Sequence, residues 1–444
     1  MNVYNIKNFI KKKREDHKKH KILYLKVIIH LTKYLLFKNY RKHRSLIDPR
    51  SDFFYKYKKL TNYFSIPLLI VARYLKKKKI FISIDNEHTY SMGHIYAEID
   101  LLQRMQHFDD KYYGSTIWFT TSRTEILGDT KHIFKTKNFK ILFGGLKRIF
   151  LIFVAIKDPS ISINGSISHT NYILGRDNSN RITFNNIRKK QGTMIRKSPE
   201  FFPNKDKLHN YNNEKNKLLR SLNLTNKYVI IQIKTEKVNA TFEILGPESY
   251  LKSIKYFQDK GYQIVFAGRE KFPDIFLNKS IINYANSKYA SSLNDFLLVG
   301  NCSLVISSAS GFCFLPENLD KPLLMCNTNG GVGNFGRRTI FLPILLSLGS
   351  KALNGKSHHK YMCTYGSFGD DLFDDLHVFN LPTSEEIFMA AKELEGMLLN
   401  TIPSLTELQK KISYSGDYPL LSCGLSRISD YYLRKHRNFF EGKK

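Results

Sequence analysis

The chain has 444 residues, 42% apolar and 13% aromatic, with a formal net charge of +32. That length exceeds one ordinary core and points to about two domains, while the apolar and aromatic content excludes an extended, disordered chain. Five cysteines, at 302, 313, 326, 363 and 423, form no C-x-x-C pair. They argue for buried thiols in a reducing compartment, against a disulfide framework or a zinc site.

Charge is concentrated at the start. Residues 1–80 carry 23 lysines and arginines against 4 acids. Such a field draws a protein towards polyanions. In "KILYLKVIIHLTKYLLF" (21–37), Lys26, His30 and Lys33 would share one helical face, and aliphatic residues would cover much of the rest. Two readings stay open: a basic amphipathic helix in a lipid headgroup layer, or a basic helix packed on the protein's own core. A nucleic-acid arm has less support, because the aromatics alternate with aliphatics and build no stacking platform. "FSIPLLIVARYL" (64–75) is interrupted by Pro67 and Arg73 and is too short to span a bilayer, which needs roughly 20 apolar residues. With no secretory pattern at the N-terminus, the expectation is a cytoplasmic protein, resting on the inner face of a membrane if residues 1–75 bind one.

The next segment, "KKKKIFISID" (76–85), predicts a strand; a polar loop and the helix "IYAEIDLLQRMQHF" (95–108) follow. "STIWFTT" (115–121), "FKILFG" (139–144) and "IFLIFVAI" (149–156) predict further strands, and 158–180 predicts loops. From 205 the alternation is regular. A polar helix (205–224) leads to the strand "KYVIIQI" (227–233). A helix closed by Gly261 (247–261) precedes the strand "YQIVFAG" (262–268). Then come a strand (280–285), a helix near 291–301, a strand (303–307), a helix from 311 and a strand (322–327). Short strands alternating with helices predict parallel β-α units. An amphipathic helix from about 384 and a basic tail close the chain. The expected organisation is a basic extension (1–75), a Rossmann-like unit (76–204), a second one (205–383), and C-terminal helices (384–444).

In open α/β sheets ligands bind outside the carboxyl ends of the strands, so the loops after 85, 233, 268, 285 and 307 matter most. "SSASG" (307–311) lies at a strand-to-helix corner. Its serines either cap the helix or, together with the free amides and Gly311, seat a phosphate; the two roles are compatible. Lys234, Gly268, Arg269 and Lys271 follow neighbouring strands and supply positive charge for a diphosphate. The glycine-rich "NTNGGVGNFGRR" (327–338) reads as a loop with Arg337 and Arg338 as further phosphate contacts. No P-loop and no well-placed dinucleotide fingerprint occurs.

The stretch "IINYANSKYASSLNDFLLVGNCSLVISSASGF" (281–312), with "DKPLLMCN" (320–327) and "FLPILL" (341–346), resembles a family of bacterial glycosyltransferases associated with surface polysaccharides. "SMGHIYAEIDLLQRM" (91–105) is similar to that family's N-terminal Gly-His loop and helix. The resemblance implies an α/β fold of GT-B type, two facing Rossmann-like domains, with a nucleotide-sugar held mainly by the second. It implies that Ser308, Ser310 and Gly311 contact the donor diphosphate and that Asn286, Ser287 and Lys288 line the neighbouring loop. It further implies that no metal or other cofactor is needed. Where the family has His-x-Arg-Asp, this chain has Gln232-Ile233-Lys234-Thr235, and Phe266-Ala267 replaces an expected arginine before Gly268. Lys234 keeps the charge and loses the arginine fork.

For the base that takes the acceptor's proton, His94 is the candidate, with Glu98 on its helical face and Asp85 in reserve. The expected function is therefore transfer of a sugar from a nucleotide-sugar to a glycan or lipid-linked acceptor, with an anionic membrane surface as a further partner if residues 1–75 bind one and no specific nucleic acid. The alternative is a catalytically inactive relative that binds a glycan or a partner enzyme. A basic RNA-binding protein, a third class, rests on net charge alone.

Overall fold

The computed structural model describes residues 210–234, 245–328, 336–348, 351–352, 376–398, 402–414 and 426–441, with four strands and a few helical positions of the N-terminal part. Those four strands, β1 (Ile80–Ile84), β2 (Ser115–Thr120), β3 (Phe139–Phe143) and β4 (Ser162–Ile163), form a parallel sheet in the order β3-β2-β1-β4. Three are the strands predicted from apolar runs. The extension 1–69 and the predicted strand 149–156 lie outside the described residues. Among the described residues no helix is long and apolar enough to cross a membrane.

The second unit is built on seven parallel strands: β5 (Tyr228–Gln232), β6 (Gln263–Phe266), β7 (Ile281–Asn283), β8 (Leu304–Ser308), β9 (Leu323–Thr328), β10 (Thr339–Pro343) and, from the C-terminal region, β14 (Arg427–Ile428). Their spatial order is β7-β6-β5-β8-β9-β10-β14. Strand β5 is buried along its whole length, as a parallel strand covered on both faces must be, and this is why "YVIIQ" reads as a continuous apolar run. A three-stranded antiparallel sheet, β12-β11-β13, joins β11 (Leu345–Leu348), β12 (Lys351–Ala352) and β13 (Leu376–Asn380).

The helices are α1 (Asn212–Ser221), α2 (Leu251–Asp259), α3 (Ser292–Asn301), α4 (Phe314–Asn318), α5 (Ser384–Glu395), α6 (Glu407–Tyr414), α7 (Asp430–Lys435) and α8 (Arg437–Glu441). Gly261 takes φ +78° just past α2, and Tyr262 N–H returns to the Phe257 carbonyl at 2.9 Å, the left-handed closure expected of that glycine. Helix α5 starts with a full capping box: Thr383 Oγ1 accepts the Glu386 N–H, and the Glu386 carboxylate accepts the Thr383 N–H at 2.6 Å. It packs on α2, β9, β10 and α7, so the segment after 384 shares the core of the second sheet and supplies its outermost strand.

Burial alone holds Glu386 up, but hydrogen bonds from His436, Thr383 and Lys435 outweigh it and bring its carboxyl down to about 2. The C-terminal helices are thereby fastened to the start of α5. Cys302, Cys313 and Cys326 are free, buried thiols, as their apolar settings lead one to expect; Cys363 and Cys423 lie outside the described residues.

Candidate functional site

From β5 the chain steps outward to β6 and β7, then returns to lay β8 on the other side of β5 before continuing to β9, β10 and β14. The strand order therefore reverses between β5 and β8, and the crevice at their carboxyl ends is where such sheets receive ligands. Register pairs Gln232, the last residue of β5, with Ser307. The small-residue corner 307–311 thus lies at the reversal itself.

Each serine of the corner has a different task. Ser307 is fully buried and donates to Gln232 Oε1 at 2.6 Å. Ser308, 4% exposed, accepts the Lys234 N–H at 3.2 Å and shares a hydrogen bond with the Tyr250 hydroxyl at 3.1 Å. Burial pushes Tyr250 well above the usual phenol range, so it stays protonated. Ser310 is only partly buried; it accepts the Phe312 N–H at 3.2 Å and donates to Gln232 Oε1 at 2.9 Å. The cap is real, and Ala309, Ser310 and Gly311 form the open lip of the corner.

The helix expected from Gly311 is shorter than its sequence indicates. One 3-10 turn (Gly311–Cys313) precedes the five residues of α4. Asp320 takes a left-handed φ of 51° and Pro322 follows two residues later, so the helix stops there. A helix this short contributes little dipole, and any anion here would be held by local amides, hydroxyls and nearby cations.

The loops after β6 and β7 complete the rim. Gly268 takes φ +107°, and a Cβ on it would stand 3.0 Å from Gln232 Cγ, so the loop lies directly on that side chain. Phe272 and Phe276 meet Phe266 edge to face, with centroids 5.4 and 6.0 Å away, which fastens the same loop to the sheet. Asn286 ties the two loops together, accepting the Phe272 N–H at 2.9 Å and donating to the Glu270 carbonyl at 3.2 Å. Ser287 closes a local turn, donating to the Tyr284 carbonyl at 2.8 Å and accepting the Tyr289 N–H at 3.2 Å. Asn286 and Ser287 are therefore scaffold within the loop that the sequence assigns to the site. Lys288 is exposed, its ammonium 5.3 Å from the Tyr289 ring.

All nine predicted donor-side positions accordingly come together at the carboxyl end of the sheet. Lys234, Arg269, Lys271 and Lys288 make no ion pair among the described residues. Arg337 and Arg338 do not join them. They stand just before β10, at the amino end of the sheet, where Arg337 holds both Asp320 oxygens at 2.9 and 2.6 Å and Arg338 approaches at 3.3 Å. Strands β9 and β10 are parallel, so residues just before β10 stand at the end of the sheet opposite the corner. His94, Glu98 and Asp85 lie outside the described residues. On the helix that follows them, Asp100 and Arg104 form a buried ion pair at 2.8 Å. Among the described residues no group of three or more His, Cys, Asp and Glu could hold a metal ion.

Three residues of this region escape a reading of the sequence. Gln232 and Tyr250 organise the serines from other strands and turns. Asp295, in the first turn of α3, accepts from the Tyr284 hydroxyl at 2.9 Å. Burial pushes its carboxyl up to about 7, against the Tyr284 hydrogen bond and the charge of Arg269. The only signal for it is the i, i+4 placement of an acid behind the cap residue Ser291.

Fold and site together define a Rossmann-like α/β protein whose crevice at the strand-order reversal is cationic. No protein-family model matches the chain, and no curated protein matches it. Among solved structures it is similar to a glycosyl transferase family 9 protein from Veillonella parvula (11% identity, 72% of this chain and 97% of that one, TM-score 0.43). It is also similar to E. coli ADP-heptose lps heptosyltransferase II (11% identity, 72% and 99%, TM-score 0.40). A third is E. coli heptosyltransferase WaaC with ADP-2-deoxy-2-fluoro heptose (10% identity, 59% and 92%, TM-score 0.34). These are distant likenesses, and the functional reading stands on the sheet and its loops.

Proposed function

We propose that the chain is a glycosyltransferase that takes a sugar from a nucleotide-sugar and passes it to a glycan or lipid-linked acceptor in bacterial surface-polysaccharide synthesis. The observation that carries this reading is the position of the Ser307–Gly311 corner at the β5/β8 reversal, ringed by cations without an acidic partner among the described residues. A diphosphate there accepts from the amides at the open lip of the corner, and Lys234, Arg269 and Lys288 offset its charge. Groups already in place before the reaction stabilise the departing diphosphate without reorganising, an effect of about 3 kcal/mol for a single well-placed donor. No metal is needed for that step. His94 takes the acceptor hydroxyl's proton as the oxygen bonds to the sugar and the bond to the diphosphate breaks; Glu98 orients His94 and Asp85 is the reserve base. The basic segment 1–75 rests on an anionic membrane face, where lipid-linked acceptors are found.

The test is thermal unfolding of the purified chain with a panel of nucleoside diphosphates in EDTA. A ligand at about 100 times its Kd adds roughly 2.7 kcal/mol of stability. One nucleotide should raise the melting temperature, and Ser310→Trp, which fills the lip, should abolish the rise. A folded protein that responds to none overturns the reading.

A further inference from the structure

We propose that Gln232 is a ligand-contacting residue, its amide nitrogen donating to a phosphate oxygen of the bound nucleotide. The inference rests on the function proposed above and adds to that site a residue that neither its charge nor its motif recommends. Gln232 is 3% exposed, and its oxygen is already saturated by Ser307 Oγ at 2.6 Å and Ser310 Oγ at 2.9 Å. Ser310 Oγ takes the Phe312 N–H at 3.2 Å, which leaves its one proton for Gln232, whereas Ser307 Oγ, approached by Cys313 Sγ at 3.4 Å, also lies 2.9 Å from the Ser308 carbonyl. The Ser310 proton is directed at Gln232, and Ser307 donates at the shorter of its two distances to the same oxygen, so the amide oxygen faces the serines.

The nitrogen, on the β6 side, donates to none of the described residues. Its neighbour is Gly268, where a Cβ would sit 3.0 Å from Gln232 Cγ and 3.6 Å from Nε2, so the glycine leaves that side of the amide uncovered. The nitrogen is not among the fully buried polar atoms left without a partner, so the small exposed part of Gln232 includes it and a ligand atom can reach it. This donor, at the end of β5, stands at the strand-order reversal, beside the corner whose flanking loops carry Lys234, Arg269 and Lys288. An anionic oxygen is the partner this geometry fits.

The experiment uses the full chain and the nucleoside diphosphate that stabilises the wild type, with inorganic pyrophosphate as a second probe. Gln232→Glu keeps an oxygen for both serines and replaces the N–H donor by a repelling charge; Gln232→Met keeps the volume and loses both. Titration calorimetry should give affinities at least tenfold weaker for Gln232→Glu and severalfold weaker for Gln232→Met, with both probes. Should either variant fail to fold, the wild type with 15N-labelled glutamine side chains supplies the reading: one amide pair shifts on adding pyrophosphate. Folded variants that bind within twofold of wild type overturn the inference and leave the proposed function standing, as does a wild type that binds while no glutamine amide moves. A wild type that binds neither probe overturns both.

Discussion

The two ends of the seven-stranded sheet carry the same kinds of side chain and treat them differently. At the amino end cations are spent inside the fold. Arg337 and Arg338 share Asp320, and Lys260 pairs with Glu395 at 2.6 Å. Lys227 donates to the Lys260 carbonyl at 2.6 Å while lying over the Tyr262 ring at 4.6 Å. At the carboxyl end Lys234, Arg269, Lys271 and Lys288 meet no acid within ion-pair distance among the described residues, and the buried polar groups bond one another. Space points the other way: an open groove of about 760 Å³, lined by Tyr262, Gln263, Lys279 and Ser280, lies at the amino ends of β6 and β7. Charge gathered at a topological reversal is the better mark of an anion site than volume, because the groove's side-chain amides, Gln258 and Gln263, already donate to protein carbonyls.

The largest change that separates the ends is Asp320→Asn. Asp320 is 8% exposed on its side chain and holds two largely buried guanidinium groups. Asparagine tolerates the left-handed backbone there but withdraws the carboxylate from both guanidinium groups, and removing one partner of a buried pair is costly. Chemical denaturation should show a loss of about 3 kcal/mol, while the nucleotide-induced rise in melting temperature stays as in the wild type. A nucleotide response that vanishes in a folded Asp320→Asn protein would mean that the two ends are not independent.

Much of this sheet was legible before the structure, for a physical reason. Strands β5, β6, β8 and β9 are covered on both faces, so their apolar runs are unbroken and bounded by loops rich in Lys, Gly and Asn. Strand β10 was not legible, because "TIFLPILLSL" (339–348) reads as one run, whereas Pro343 ends a strand of the large sheet and Leu345 opens one in a different sheet. Two-residue β14 has no period to read at all. The site divides in the same way. The serine corner shows in the sequence because small polar residues between a strand and a helix are a local pattern. Gln232, Tyr250 and Asp295 do not, because their meaning comes from register and packing across residues 58 to 75 apart or from burial that composition does not reveal.

A smaller effect is expected at Asp295, and its sign depends on pH. Folding raises its carboxyl from the ordinary 3.8 to about 7, with burial as the main cause. The folded protein therefore holds a proton that the unfolded chain releases near pH 4. Stability linked to this group is complete below pH 4 and is lost as pH rises towards 7. Asp295→Asn still accepts from Tyr284 and carries no charge, so it should be neutral near pH 4 and more stable than wild type by about 1 kcal/mol at pH 8, a figure kept low because the side chain is partly open to water. Melting curves of the two proteins at pH 4, 6 and 8 give the comparison, and a constant difference across that range would rule the linkage out.

The least effect on folding belongs to the change that tests the cationic rim most directly. Arg269 is exposed and pairs with no described acid, so Arg269→Gln should alter stability by less than about 0.5 kcal/mol. If its charge serves the ligand, nucleoside diphosphate affinity should fall severalfold at low salt and by less at high salt, since screening acts on the same Coulomb contribution that the substitution removes. Arg337→Gln removes a charge of the same kind from the other end and should cost stability without touching that affinity. The pair of variants therefore isolates position from charge: equal losses of affinity would reduce the rim to a share of the protein's overall field of +32, whereas a loss confined to Arg269 would tie binding to the loop after β6.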